Sequence, residues 1–239
     1  MKLVRSVLAV LISSSLFAQA PVSVEYVCTP EDIEGFGLAC SAEDPCAVFL
    51  ELSSVEAVGA RIFVAGNLHT ERTTLYSVLL MSEDGGKTWT EPHKRLRAAA
   101  LEQVQFIDFA NGWVSGQIIE PLPKDPFLLI TTDGGKTWRD KPMFEESRFG
   151  SIAQFWFDTK SAGKLVIDHA PKHELYETNT GGEGWEVKEV TTQPIRLKGR
   201  PQDATWRLRA DGKTYHLEQR GAPNWDAVAS FTIHVSDCK

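Results

Sequence analysis

An eight-residue turn sequence recurs along this chain, and a recurring turn restricts the fold to a repeat architecture. Ser82-Glu83-Asp84-Gly85-Gly86-Lys87-Thr88-Trp89 returns as Thr131-Thr132-Asp133-Gly134-Gly135-Lys136-Thr137-Trp138. A third copy, Thr178-Asn179-Thr180-Gly181-Gly182-Glu183-Gly184-Trp185, has Thr180 where the others have Asp. A trace survives at Gly221-Ala222-Pro223-Asn224-Trp225. The tryptophans follow one another at roughly 40–50 residues, a length that suits four short antiparallel strands per unit.

The segments before each turn repeat as well. Arg61-Ile62-Phe63-Val64, Gly112-Trp113-Val114-Ser115 and Lys164-Leu165-Val166-Ile167 occupy matching places, each preceded and followed by a similar short run. These runs are apolar, aromatic or β-branched and are bounded by Gly, Pro, Asn or Asp, which are strand signals. The last unit is weaker and reads as strands at 195–197, 205–208, 215–218 and 225–233. Residues 28–46 read as a loop stapled by cysteines. Val22, Val24 and Tyr26 alternate with polar residues, as a short extra strand would.

The turn residues have a physical reading. Asp84 and Asp133 can accept hydrogen bonds from backbone N–H groups that lose their ladder partners where the chain reverses. Gly86, Gly135 and Gly182 suit positive φ. The hydroxyls of Ser82, Thr88, Thr131 and Thr137 cap the groups that remain. Trp89, Trp138 and Trp185 then head an outer strand and are expected to bury their rings against the next blade.

This repeat resembles the Asp-box, the bacterial neuraminidase repeat of sialidases, sortilin-type receptors and other propellers. The longer pattern of Phe106, Asp108, Gly112, Trp113, Gly116 and Thr131 through Trp138 is similar to the photosystem II stability and assembly factor family. The resemblance implies an all-β fold: a small β-propeller of about four four-stranded blades with Asp-box turns, at 47–95, 101–143, 149–190 and 194–236. Assembly-factor propellers have about seven blades and sialidases about six. This chain therefore makes a small closed ring of four or five blades, an open arc, or part of a ring completed by a second chain.

The first residues read as an export signal. Lys2 and Arg5 precede a short apolar stretch, and Ala18-Gln19-Ala20 supplies a small-x-small cleavage pattern, so residues 1–20 are expected to be removed. No later segment has membrane-spanning length. The formal charge is −7, without a polybasic run, which argues against a nucleic-acid partner. Cys28, Cys40 and Cys46 crowd the segment 21–46, while Cys238 is the penultimate residue. Full oxidation within one exported chain allows three pairings, and every one ties Cys238 to the N-terminal cluster. The chain ends must then meet, as closure of a ring requires.

Catalytic and metal-binding readings are weaker than the structural ones. The resemblance to sialidases implies an arginine triad, a Tyr–Glu pair and an acid, but the Arg-Ile-Pro opening is absent and Arg61-Ile62-Phe63 lacks the Pro. Tyr76 with Glu71 and Arg72 is the nearest approach to such a pair. Asp168, His169 and His173 are the densest group of metal-ligand types, yet Pro171 breaks any helix that would align them. No catalytic residue, metal or cofactor is expected. The longest loops, at 67–74 and 117–125, nominate His69, Glu71, Arg72, Glu120, Lys124 and Asp125 as binding-surface residues. The expected function is an exported, non-enzymatic scaffold that binds a protein or glycan partner. The alternative is a glycan-active hydrolase of the sialidase type.

Overall fold

The computed structural model describes residues 20–197, 205–236 and 238. The export-signal reading falls almost entirely outside those residues. The N-terminal segment holds strand β1 (Val22–Tyr26) and helix α1 (Pro30–Phe36). Sheet I follows, from β2 (Phe49–Val58), β3 (Arg61–His69) and β4 (Thr74–Ser82). Sheet II contains β5 (Ala99–Phe106), β6 (Gly112–Ile119), β7 (Pro123–Thr131) and β8 (Arg139–Pro142). Sheet III contains β9 (Ser151–Phe157), β10 (Gly163–His169), β11 (Lys172–Thr178) and β12 (Glu186–Thr191). Sheet IV takes β13 (Trp206–Asp211), β14 (Thr214–Arg220) and β15 (Trp225–Val235), with β1 paired in parallel to β15. The first strand of each sheet lines a common channel, which is the arrangement of a β-propeller.

Two strand assignments differ from expectation. Sheet I has three strands, because the stretch after Trp89 touches β4 only at the bridges Met81–Thr90 and Tyr76–Arg97. Pro92 lies between those bridges, and proline cannot donate to a ladder. Residues 195–197 form no strand. The fourth strand of sheet IV comes instead from the other end of the chain, where Val24 and Tyr26 bury one face of β1.

Apolar clusters lie between sheets. One joins sheets IV and I through Val24, Leu52, Ile62, Leu80, Leu217 and Phe231. A second joins I and II through Phe63, Leu79, Leu101 and Phe106, and a third joins II and III through Trp113, Leu128, Phe155 and Phe157. Burial of each such large side chain contributes about 1.5–3 kcal/mol. An aromatic stack repeats at two interfaces: Phe63 on Phe106 at 4.3 Å, and Trp113 on Phe157 at 3.8 Å. Among the described residues no such cluster joins III to IV. The faces there carry ions instead, Lys164 with Glu177 at 2.7 Å on sheet III and Arg207 with Glu218 at 2.6 Å on sheet IV.

Each Asp-Gly-Gly turn is closed by its own side chains. Asp84 accepts from the N–H groups of Lys87 and Thr88 and from the Thr88 hydroxyl, while Ser82 Oγ accepts from Gly86 N. Thr131, Asp133, Gly135 and Thr137 repeat that pattern. In the third copy the Thr180 hydroxyl accepts from Gly184 N in place of the missing carboxylate. Gly86 and Gly135 have φ of 93° and 83°, and a Cβ on them would strike Val228 and Phe63. Those contacts reverse one expectation. The tryptophans face the preceding sheet, not the next: Trp89 packs edge-on against Phe231 of sheet IV, and Trp138 against Phe63 of sheet I. Their rings are half-buried, and each indole donates to its own turn, Trp89 Nε1 to Gly86 O and Trp138 Nε1 to Gly135 O.

The N-terminal segment is docked rather than looped. Thr29 caps α1, with Asp32 returning a bond to complete the capping box, and Gly37 ends the helix in a left-handed conformation. Buried Asp32 also accepts from Tyr26 at 3.1 Å and Tyr76 at 2.5 Å, and Arg97 lies 3.6 Å over the Phe36 ring. A local apolar pattern does not announce this helix. Its burial is anchored by one carboxylate, which no periodicity reveals. Disulfides join Cys28 to Cys238 and Cys40 to Cys46, so the chain ends meet as the cysteine count requires.

Candidate functional site

Strands β2, β5, β9 and β13 surround a channel of about 560 Å³. The first three bend alike. Ser53, Glu102 and Ala153 are each an extra residue at a register shift, and Gly66 and Gly116 stand opposite the first two shifts. A Cβ at Gly66 would lie 2.0 Å from the Glu51 carbonyl oxygen, so only glycine fits where the bulge presses inward.

Side chains on these strands stitch one sheet to the next. Gln103 accepts from Phe155 N and donates to Phe155 O, and Gln105 does the same to Phe157 at 2.8 and 2.9 Å. The equivalent positions on β2 are Ser54 and Glu56, as their pairing with β3 shows. Ser54 Oγ accepts from Val104 N. Glu56 accepts from the Phe106 N–H but, ionised, has no proton for the carbonyl that Gln105 would reach. Burial pushes the Glu56 carboxyl up to about 7, against that N–H. Trp156 takes the same place on β9 and donates from Nε1 to Asp158. Sequence reasoning missed this layer. The signal that would find it is the alignment of Glu56, Gln105 and Trp156 within the repeat.

The loops nominated from sequence share the channel end opposite the Asp-Gly-Gly turns. Both are the hairpin between the second and third strand of their sheet, and Ala98 bridges them by donating to Leu75 O and accepting from Ile119 N. His69 is half-buried, stacks on Phe49 at 5.6 Å and meets Thr70 O at 2.8 Å. Glu71 and Arg72 are exposed at the tip. Lys124 pairs with Glu120 at 3.6 Å. Asp125 is turned to a structural task, accepting from Ser147 Oγ and Arg148 N. Sequence reading passed over two neighbours, Leu122 and Phe149, which are 60 % and 65 % exposed. They lie on adjoining segments, since Phe149 bridges to Lys124 and Gly150 N donates to Pro123 O.

Two carboxylates stand at the same end. Glu51 accepts from Asn67, and Glu102 accepts from Gln117 at 2.9 Å. Burial and the Glu51 charge raise the Glu102 carboxyl, opposed by the Gln117 bond. The Tyr76 hydroxyl is held by Asp32 rather than by Glu71 or Arg72. His169 pairs with Glu174 and His173 with Asp168, so each histidine of that hairpin has its own carboxylate. Among the described residues no helix is long and apolar enough to cross a membrane.

No protein-family model matches the chain, and no curated sequence does. Among solved structures it is similar to YCF48 bound to D1 peptide, at 18 % identity and a TM-score of 0.45 over 79 % of this chain and 59 % of that one. It is similar to the GH74 xyloglucanase from Xanthomonas campestris at 17 % identity and a TM-score of 0.43, over 72 % of this chain and 28 % of that one. The α-L-arabinanase from Penicillium chrysogenum complexed with arabinobiose matches at 16 % identity and a TM-score of 0.39, over 79 % and 62 %. The chain thus spans less than two thirds of the length of each of these proteins.

Proposed function

We propose that this protein is an exported, non-enzymatic propeller that holds a protein partner at the channel end opposite its Asp-box turns. The observation that carries the reading is the exposed pair Leu122 and Phe149, rimmed by Glu120, Lys124 and Arg148. Large apolar side chains displayed together within a polar rim are the usual composition of a partner-binding patch. The ring is proposed to close within one chain as four blades, a reading supported by the parallel β1–β15 pairing and the Cys28–Cys238 bond. Export agrees with two disulfides. A photo-crosslinking residue at Leu122 or Phe149 should trap one discrete protein in native envelope extracts, and one at Lys87 should not. Equal labelling from both ends would overturn the proposal.

A second reading, glycan hydrolysis, rests on Glu51 and Glu102. Paired carboxylates with one raised pKa are what glycosidic cleavage needs. Turnover of fluorogenic sialosides or other glycosides, lost in Glu102→Gln, would establish that reading in place of the first.

A further inference from the structure

The described wall of the channel holds two indoles, two carboxylates and no basic side chain. Trp156 comes from β9 and Trp206 from β13, Glu56 from β2, and Asp158 from just beyond β9. The Trp156 Nε1–H donates to Asp158 Oδ1 at 3.2 Å, which ties that carboxylate to the ring edge. Three described arginines nearby are engaged elsewhere. Arg207 and Arg209 alternate with Trp206 and Leu208 along β13 and bind Glu218 on the other face. Arg61 donates to the carbonyls of Gly134 and Phe109.

Such a wall discriminates by charge. A neutral ligand entering the channel would strip water from Glu56 and Asp158 without replacing it. A cation would compensate both, and indole rings attract cations through their faces. The volume suits a side-chain-sized group. The geometry points to this channel as a binding site for an organic cation of the guanidinium or ammonium type, held by Asp158 and Glu56 against Trp156 and Trp206. This site is separate from the Leu122–Phe149 patch, so either can fail alone.

Glu56 gives the site a proton-linked signature. Its carboxyl sits near 7 because of burial, and a cation beside it draws it down. Binding therefore releases a proton near neutrality and tightens as pH rises. The groups facing Glu56 add no opposing charge: β3 offers Phe63, β5 offers Gln103 and Gln105, β13 offers Trp206 and Leu208, and β9 leads to Asp158. Asp158 is the other titratable group on the described wall.

The test is calorimetric titration of the full chain with Nα-acetylarginine amide and with its neutral isostere, Nα-acetylcitrulline amide, in two buffers of different ionisation heat. The arginine compound should bind at least about tenfold more tightly, with proton release near neutral pH and higher affinity at about pH 8 than at about pH 5.5. Asp158→Asn and Trp156→Ala should each weaken it by about tenfold with far-UV circular dichroism unchanged, and Glu56→Gln should abolish the proton release. Tighter binding of Gly-Arg-Gly than of the single residue assigns the cation to a peptide segment; weaker binding assigns it to a free small molecule. Equal affinity for the arginine and citrulline compounds, no heat with any cation, or preference for cellotriose would overturn the proposal. If the variants do not fold, the pH and buffer dependence of the unaltered protein decides it.

Discussion

Replacing Glu56 by glutamine should stabilise the protein above about pH 4.5, by an amount that grows until about pH 7. Gln105 shows why. One sheet further on, in the same place, its amide accepts from Phe157 N and donates to Phe157 O. Glu56 meets Phe106 with an acceptor alone unless it is protonated. A carboxyl held at about 7 in the fold and at its ordinary 4.5 in the unfolded chain binds more protons when folded. Stability from this group is therefore complete at low pH and declines as pH rises from about 4.5 to about 7. A shift of that size corresponds to about 3 kcal/mol of charge cost at pH 8, and the open channel screens part of it, leaving about 1–2 kcal/mol. Urea unfolding of the disulfide-intact chain should place Glu56→Gln above the parent by that amount at about pH 8 and level with it at about pH 4. The reciprocal change, Gln105→Glu, should destabilise, and more so at high pH. Equal effects of Glu56→Gln at both pH values, or destabilisation at pH 8, would refute the pairing of Glu56 with Gln105.

Other outcomes follow from the turns and the chain ends. Trp138→Ala removes a half-buried ring between sheets I and II and should lower unfolding free energy by about 2–3 kcal/mol, read from urea midpoints. Asp84 and Asp133, each held at about 2 by hydrogen bonds within its turn, have depressed folded pKa values. Their contribution is present above the unfolded carboxyl range and lost as pH falls toward 2, so the acid transition should steepen there and flatten in Asp84→Asn/Asp133→Asn. Cys238→Ser opens a link across 210 residues and should lower stability by about 3–5 kcal/mol, whereas Cys40→Ser, across 6, should cost about 2, both followed by thermal melts without reductant.

Much of the architecture was legible because it is written in short-range chemistry. The Asp and two glycines of each full copy set its turn, and each closes with hydroxyls no more than four residues away. The meeting of the termini was legible for a different reason, since a lone C-terminal cysteine has partners only at the other end. The chain reversals within 67–74 and 117–125 were legible as loops, though β3, β6 and β7 run into those ranges, and Leu122 and Phe149 were not singled out, because exposure is a property of what fails to cover a residue.

What lies between blades was decided by tertiary structure. Whether Trp138 meets the sheet before or after it depends on how the sheets are rotated about the channel, and no local pattern encodes that rotation. The parallel docking of β1 on β15 unites strands from opposite chain ends, and burial of Val24 and Tyr26 against Phe231 settles the pairing. Glu56, Gln105 and Trp156 share one position of the repeat, but nothing along the chain says that this position meets the neighbouring sheet. Only the shared bulge on their strands aligns them around one channel, where a missing proton donor, an amide and an indole become alternatives at a single position.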